Sequence, residues 1–252
     1  MSSNTLGAKK FTALTVVRAG LFIAMSLVLK VVFEIYIPLA GIPALRINFA
    51  QIPIMLAGII LGPAVGFCSG AAADIINFMI KPGGPFFPGF TLVSALSGFI
   101  PGLIFKYIKK DHNYNMLNTI FISLLSVGFV CALMIKGIMS FEHNAIIYNG
   151  KPLSFIYIVG FIVLVAAYLY IPIKLTSLGN NNFKIDKIVF TVSITQLITS
   201  ILLNTYFLSV VYGKGFLIFL PARILTNFFM IPLYSILIAS ILGALNKRLL
   251  KG

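Results

Sequence analysis

Long apolar runs separated by short polar or Gly/Pro-rich breaks dominate this chain. Eight can be read: about Arg18–Ile37, Ile47–Leu61, Ala64–Ile80, Thr91–Tyr107, Leu117–Met139, Phe155–Ile173, Ile188–Val211 and Leu220–Leu245. A helix needs roughly 17–25 apolar residues to cross a bilayer, so each run is a candidate span, the second and third being short. Gly62-Pro63 leaves no linker between those two, which must form a hairpin or lie partly within the bundle. The runs are continuous and not alternating, so an all-α membrane protein is expected, with no sheet. Residues 1–252 read as one transmembrane domain that begins with a cytoplasmic N-terminal segment, 1–17. No small-residue cleavage site follows the first run before further spans, which argues against a cleaved signal peptide.

Composition agrees. Apolar residues make up 60% of the 252 and charged residues only 10%, against about a quarter in soluble domains. Mean hydropathy is +1.06. The net charge of +14 does not point to nucleic acid, because the charges sit between apolar runs and form no continuous basic surface. Cys68 and Cys131 lie inside apolar runs without metal-ligand spacing. No metal or cofactor site is expected, and no nucleophile–base constellation that would mark an enzyme.

Lysine and arginine set the orientation. With the N-terminus inside, Lys9, Lys10, Arg18, Lys106, Lys109, Lys110, Lys174, Lys184, Lys187, Lys247, Arg248 and Lys251 are on the inner side, twelve of nineteen. Both termini are then cytoplasmic. Lys30, Arg46, Lys81, Lys136, Lys151, Lys214 and Arg223 fall in outer loops or outer halves of spans. Four of these, Arg46, Lys81, Lys214 and Arg223, flank loops between different helices. They could converge on an outer vestibule that attracts carboxylates. Snorkelling to the headgroups is the competing account for each.

The stretch Leu45 to Phe105 carries the most chemistry. Asp74 sits in mid-run, where a carboxylate is costly unless paired or facing water, so it implies a polar interior. Lys81-Pro82-Gly83-Gly84-Pro85-Phe86-Phe87-Pro88-Gly89-Phe90 supplies flat aromatic surface, stiff turns and a cation. Together these suit a small planar anion held near one face of the membrane.

That stretch, with Tyr212-Gly213-Lys214-Gly215-Phe216 and Leu220-Pro221-Ala222-Arg223-Ile224-Leu225-Thr226-Asn227, resembles the folate-specific substrate-binding (S) components of energy-coupling factor (ECF) transporters. The LRINF start, the GP turn, the later Asp, the FFPGFTL loop and the YGKGF…LPARI…N segment come in the matching order. Arg18 to Leu29 is similar to the family's first helix. The resemblance covers about Arg18–Tyr107 and Ile188–Lys247. It implies a six-helix bundle that binds the vitamin at the outer face of the bacterial cell membrane. It also implies a transmembrane coupling protein and two cytoplasmic ATPases as partners, with the bundle reorienting toward the cytoplasm for release. This chain has no G-x-x-x-x-G-K-[ST] phosphate loop of its own. Gly20 and Ala24 match the Ala-x-x-x-Ala patch through which the family docks on its coupling protein. Small residues four apart let helices approach closely in lipid, although packing within the bundle would use them equally well. The chain departs from the family at 111–187, where an extra pair of helices is inserted, giving about eight spans.

For folate, the resemblance implies stacking faces, amide-type groups for the pterin edge and cations for the glutamate tail. Phe86, Phe87 and Phe90 are the candidate faces, with an interfacial aromatic belt as the alternative. Thr91 ends the same loop, and Tyr212 opens the YGKGF segment. Asn48, Asn204 and Asn227 could read the pterin, although Asn204 could equally make a helix–helix hydrogen bond. Arg46 and Arg223 are the leading carboxylate contacts, with Lys214 next. Asp74 could pair with a cation from another helix, bond the pterin amino group or hold backbone. Lys30 and Glu34, four apart, could pair on one helix face. Other readings are an S component for another water-soluble vitamin, such as pantothenate or a pterin precursor, and an ion-coupled secondary carrier. The carrier would call for paired repeats of discontinuous helices and more intramembrane charge.

Overall fold

The structure, a computed structural model, describes residues 12–39, 42–47, 49–82, 84–108, 114–135, 139–142, 145–148, 151–152, 159, 162–163, 166, 170, 185–213 and 215–249. Its long elements are all helices. Helix α1 (Ala13–Phe33) starts where the Thr12 hydroxyl accepts the Thr15 amide at 3.3 Å, an N-cap. The run then stops being helical four residues earlier than its apolar pattern predicts. Ile35–Leu39 (β1) and Ile42–Ile47 (β2) instead form an antiparallel hairpin. Pro38 cannot donate to a ladder, and the register slips there, between Ile37 and Leu39. The expectation of no sheet is therefore corrected. A second small sheet, Met139–Glu142 (β3), Ala145–Tyr148 (β4) and Lys151–Pro152 (β5), lies in the segment expected to be an inserted helical hairpin.

Helix α2 (Gln51–Leu61) begins four residues later than expected. Its 11 residues reach only about 16 Å, half the hydrocarbon thickness. Gly62 alone joins it to α3 (Pro63–Ile80), with φ +105° and a proline at the first helical position. Helices α4 (Pro88–Tyr107), α5 (Asn115–Ile135), α6 (Ile185–Tyr212) and α7 (Phe216–Leu249) complete the set. Leu197–Asn204, in the middle of α6, is π-helical. Among the described residues, five helices are long and apolar enough to cross a membrane: α1, α3, α4, α6 and α7. Helix α2 and Met116–Cys131 of α5 are shorter apolar helices. Positions 159, 162, 163, 166 and 170 of the expected Phe155–Ile173 span are helical, and the rest of it lies outside the described residues.

Two contacts organise the bundle. The first is a glycine seam. Gly58 on α2, and Gly66 and Gly70 on α3, lie opposite Ser94, Gly98 and Gly102 on α4, with Gly62 in the turn between. A Cβ on Gly58 or Gly66 would run into the Gly98 carbonyl, one on Gly98 into Gly66, one on Gly102 into Pro63, and one on Gly70 into Ser94. Three helices thus touch backbone to backbone, the close approach that small residues permit. The second is the apolar core of α2, α5, α6 and α7, centred on Met55, Leu56, Ile122, Ile188, Ile231 and Ile238. Phe121, Ile122 and Leu125 place α5 inside that core, so it is not a peripheral appendage.

A buried polar clasp fixes where the chain leaves for α5 and where it returns. The Tyr114 amide donates to the Asp186 carboxylate at 3.1 Å, and Asn118 Nδ2 to the Asp186 carbonyl at 3.1 Å. Lys187 Nζ donates to the Ile108 carbonyl just beyond α4 at 2.9 Å and lies over the Phe105 ring. Helix α1 is the least embedded. Leu14, Val17, Leu21, Met25, Val28 and Val32 are exposed, as are Gly20 and Ala24. A Cβ on Gly20 would meet nothing within 4 Å, so this pair faces outward and does not pack inside the bundle.

The seam makes a prediction. Gly98→Ala forces α3 and α4 apart and should destabilise the detergent-solubilised protein by about 1–3 kcal/mol, as overpacking does. Gly243→Ala, where a Cβ meets nothing within 4 Å, should leave thermal unfolding unchanged or slightly raised. Equal behaviour of the two variants would show the seam to be dispensable.

Candidate functional site

Helices α1, α2, α3, α4, α6 and α7 enclose a cavity of about 110 Å³. That is room for several waters where one needs about 10–15 Å³, inside helices whose outer faces are apolar. Its wall is polar: Ser26 and Lys30 from α1 and Glu34 just past its end, Gln51 from α2, and Asp74 and Asn77 from α3. Ser94 and Ser97 come from α4, Gln196, Ser200 and Asn204 from α6, and Arg223, Thr226 and Asn227 from α7.

The charges are balanced. Two cations, Lys30 and Arg223, share the wall with two carboxylates, Glu34 and Asp74. Lys30 Nζ lies 3.9 Å from Asp74 Oδ1, and the Thr91 hydroxyl donates to Asp74 Oδ2 at 2.9 Å. Asp74 thereby ties α3 to both α1 and α4, which realises the option of pairing with a cation from another helix. Asn227 Nδ2 donates to Ser200 Oγ at 3.0 Å and to the Arg223 carbonyl at 2.8 Å. Gln196 Nε2 donates to Gln51 Oε1 at 3.0 Å. Of the three buried amide oxygens that accept nothing from the described protein, two, Asn77 Oδ1 and Gln196 Oε1, belong to residues lining the chamber, and the third is Asn118 Oδ1 in the clasp. Buried acceptors without donors are costly, so the two in the chamber are set up to receive N–H groups from elsewhere.

A second space of about 50 Å³ adjoins the first, and Lys30, Asp74, Phe90 and Leu208 border both. Its remaining wall is largely aromatic: Phe78, Phe86, Phe87 and Tyr212, with Lys81 and the 84–85 turn. Phe78 meets Phe86 at 5.1 Å, and Phe87 meets Phe90 at 5.8 Å and Phe207 of α6 at 5.5 Å. Gly84, at φ +147°, brings the turn so close to Tyr212 that a Cβ would lie 3.2 Å from the tyrosine hydroxyl. The deep chamber is thus polar and charge-balanced, and the mouth is aromatic, adding Lys81 to the shared Lys30 and Asp74.

Of the residues singled out in the sequence, Asp74, Phe90, Asn204, Arg223 and Asn227 line the deep chamber, and Phe86, Phe87 and Tyr212 line the mouth. Thr91 joins through Asp74. Arg46 is on β2, which packs against α7, but its side chain lies outside the described residues, as do Asn48 and Lys214. The expected vestibule of Arg46, Lys81, Lys214 and Arg223 needs correction at Arg223. Helix α7 starts at Phe216, not Leu220, so Arg223 is seven residues, about 10 Å, inside the helix. It is 5% exposed and belongs to the deep chamber, with Lys81 at the mouth. Asn77, Gln51, Gln196 and Ser200 were missed. Their signal was an uncharged polar residue inside an apolar run: Asn77 three residues after Asp74, and Ser200 and Gln196 four and eight residues before Asn204, with no such spacing for Gln51.

A polar interior with room for several waters inside a bundle of apolar helices, with an aromatic mouth at one end, is the architecture of a membrane protein built around a small-solute site. Comparison with known proteins agrees. The family model described as "ECF-type riboflavin transporter, S component" matches residues 10–184. The folate transporter FolT of Clostridium novyi (strain NT) is 31% identical over 153 residues, covering 53% of this chain and 88% of that protein. An uncharacterised MG098 homologue of Mycoplasma pneumoniae (strain ATCC 29342 / M129 / Subtype 1) is 32% identical over 95 residues, covering 36% of this chain and 19% of that longer protein. Among solved structures, FolT crystallised with folic acid superposes with a TM-score of 0.52 at 19% identity, covering 90% of each chain. The chain belongs to the family of S components of ECF-type transporters. It is a membrane protein of a transport family, not of an enzyme family.

The shared wall at Lys30 and Asp74 is testable without a ligand. A double-mutant cycle with Lys30→Met and Asp74→Asn, read by thermal unfolding in detergent, should give a coupling energy of about 0.5–3 kcal/mol, the range for residues in one network. Additivity within about 0.3 kcal/mol would mean that the 3.9 Å approach carries no energy.

Proposed function

We propose that this chain is the folate-binding subunit of an ATP-driven vitamin importer. The observation that carries this reading is the division of the site into a charge-balanced polar chamber and an aromatic, cationic mouth. A pterin is flat, neutral and edged with N–H donors and ring-nitrogen acceptors. The deep chamber suits it: Asn77 Oδ1 and Gln196 Oε1 accept, Asn204 and Asn227 read the edge, and Asp74 takes the amino group. A wall carrying Lys30, Arg223, Glu34 and Asp74 has no net charge to spend on two carboxylates. The glutamate tail therefore belongs at the mouth, with Lys81 and with the cations expected there, Arg46 and Lys214. Phe86, Phe87, Phe90 and Tyr212 cover the aromatic linker between the two ends. The names of the similar transporter and of the superposed structure support folate.

The description of the matching family model favours a second reading, riboflavin. A flavin would fill the deep chamber in a similar way, but its tail is a neutral polyol that gains nothing from cations at the mouth. The same subunit would deliver its vitamin through a transmembrane coupling protein and two ATPases, with Gly20 and Ala24 on the outward face of α1 as the docking patch. Both termini then lie in the cytoplasm and the mouth opens outside, in the order the basic residues favour. Residues 111–187 are an inserted pair bringing the spans to eight, and the core position of α5 makes the first helix of that pair part of the bundle.

The decisive experiment is binding to the purified chain without partners. Folate should bind tightly, and riboflavin and pantothenate should not. Lys81→Ala and Arg46→Ala should weaken folate about tenfold or more while changing a pterin without the tail little. Arg223→Ala should weaken both ligands. Equal losses at Lys81 for both ligands would remove the tail assignment, and preference for riboflavin would replace the substrate. For Gly20→Leu and Ala24→Leu, binding should survive while uptake into cells is lost. Normal uptake by both would exclude the docking patch.

A further inference from the structure

Gln196, Ser200, Asn204 and Leu208 all line the deep chamber, at intervals of four residues across three turns of α6. An ordinary α-helix cannot keep such a row on one face. Four residues overshoot its 3.6-residue turn by about 40°, and three steps accumulate about 120°. The row holds because Leu197–Asn204 is π-helical. Its i→i+5 bonding widens each turn and takes back the overshoot.

The local chemistry favours the wide turn. Thr191, Thr195 and Thr199 each donate a hydroxyl to the carbonyl four residues earlier at 2.7 Å, occupying acceptors along the helix leading into it. At its far end Thr205 Oγ1 donates to the Ser200 carbonyl, five residues back, at 3.3 Å. From α7, Asn227 Nδ2 fixes Ser200 Oγ at 3.0 Å. Beyond the wide turn α6 is α-helical again, and there Phe207 meets Phe87 at 5.5 Å and Phe90 at 6.4 Å, while Leu208 and Tyr212 line the mouth. The π stretch therefore stands between the part of α6 that serves the deep chamber and the part that builds the mouth.

We propose that Leu197–Asn204 is the register element of the binding site: its wide turns aim Ser200 and Asn204 at the ligand and, in the same stroke, set which face of Thr205–Tyr212 meets the aromatic loop. Its residues are positioning residues for the mouth, because Phe207 and Tyr212 act there only in this register. The inference rests on the site assigned above and adds the element that aligns its two halves.

The test changes the residue count of α6 in two places. Leu202 is half exposed and touches neither chamber. The wide turn takes back about one residue's rotation, so deleting Leu202 and closing the stretch to α-helix leaves Thr205–Tyr212 within about 20° of its present face. Inserting an alanine after Asn204 instead rotates Thr205–Tyr212 by about 100°. The full-length insertion variant should bind folate at least a hundredfold more weakly than the wild type, while ΔLeu202 should stay within tenfold of it, an order that a merely structural loss would not produce. In a background with Cys68 and Cys131 replaced by alanine, Phe87→Cys/Phe207→Cys should be joined in membranes by a short bifunctional thiol reagent. Phe87→Cys/Tyr206→Cys should not, and the alanine insertion should abolish the first product. Binding by the insertion variant within threefold of wild type overturns the inference, as does equal cross-linking of 206 and 207. If the wild type does not bind folate, the functional reading fails, and the cross-linking pattern still decides the register on its own.

Discussion

The contact on which the rest depends is the meeting of three helix backbones at Gly58, Gly66 and Gly98. In lipid there is no hydrophobic drive to press helices together, so close packing of small residues must supply the attraction. The seam draws α2, α3 and α4 into one rigid block. Further along the same faces, Asp74 and Asn77 on α3, and Ser94 and Ser97 on α4, line the chamber. One end of the block is thus made of residues with almost no side chain, and the other of residues that could not stand in lipid.

The chamber answers a second demand. Polar groups inside a membrane are tolerated only when they are paired or face water. Here Asp74 is held by Thr91 and approached by Lys30, Asn227 is held by Ser200 and a carbonyl, and Gln196 by Gln51. This leaves a small surplus of acceptors, Asn77 Oδ1 and Gln196 Oε1. A site that satisfied every polar atom internally would offer a solute nothing. One that satisfied few would not fold.

Most of the helices were legible because a long unbroken apolar run has few alternatives. The end of α1 was not, since Ile35, Tyr36 and Ile37 are as apolar as the helix before them. Only Pro38 hinted at a strand, because proline breaks helix and ladder alike. Asp74, Phe86, Phe87, Phe90, Asn204, Tyr212, Arg223 and Asn227 line the two adjoining spaces, and of these Asp74 and the loop aromatics were the easiest to read, because their chemistry stands out in an apolar run. The depth of Arg223 was misjudged for want of one turn of α7. The amides Asn77 and Gln196 were overlooked because a single polar residue in an apolar run also occurs as ordinary helix–helix glue. The four-residue beat of glycines from Gly58 to Gly70, and of Gln196 through Leu208, was there to be read. It stayed silent because composition and hydropathy count residues without asking which face they share.

The clasp at Asp186 has a consequence for how this architecture can vary between organisms. The chain departs and comes home at the same anchored point, with Tyr114, Asn118 and Ile108 held by Asp186 and Lys187. For the stretch that follows α5, a change of length alters the entropy of closing the ring by only about 0.6 kcal/mol for each doubling. The clasp therefore fixes where α6 begins whatever number of residues precedes it.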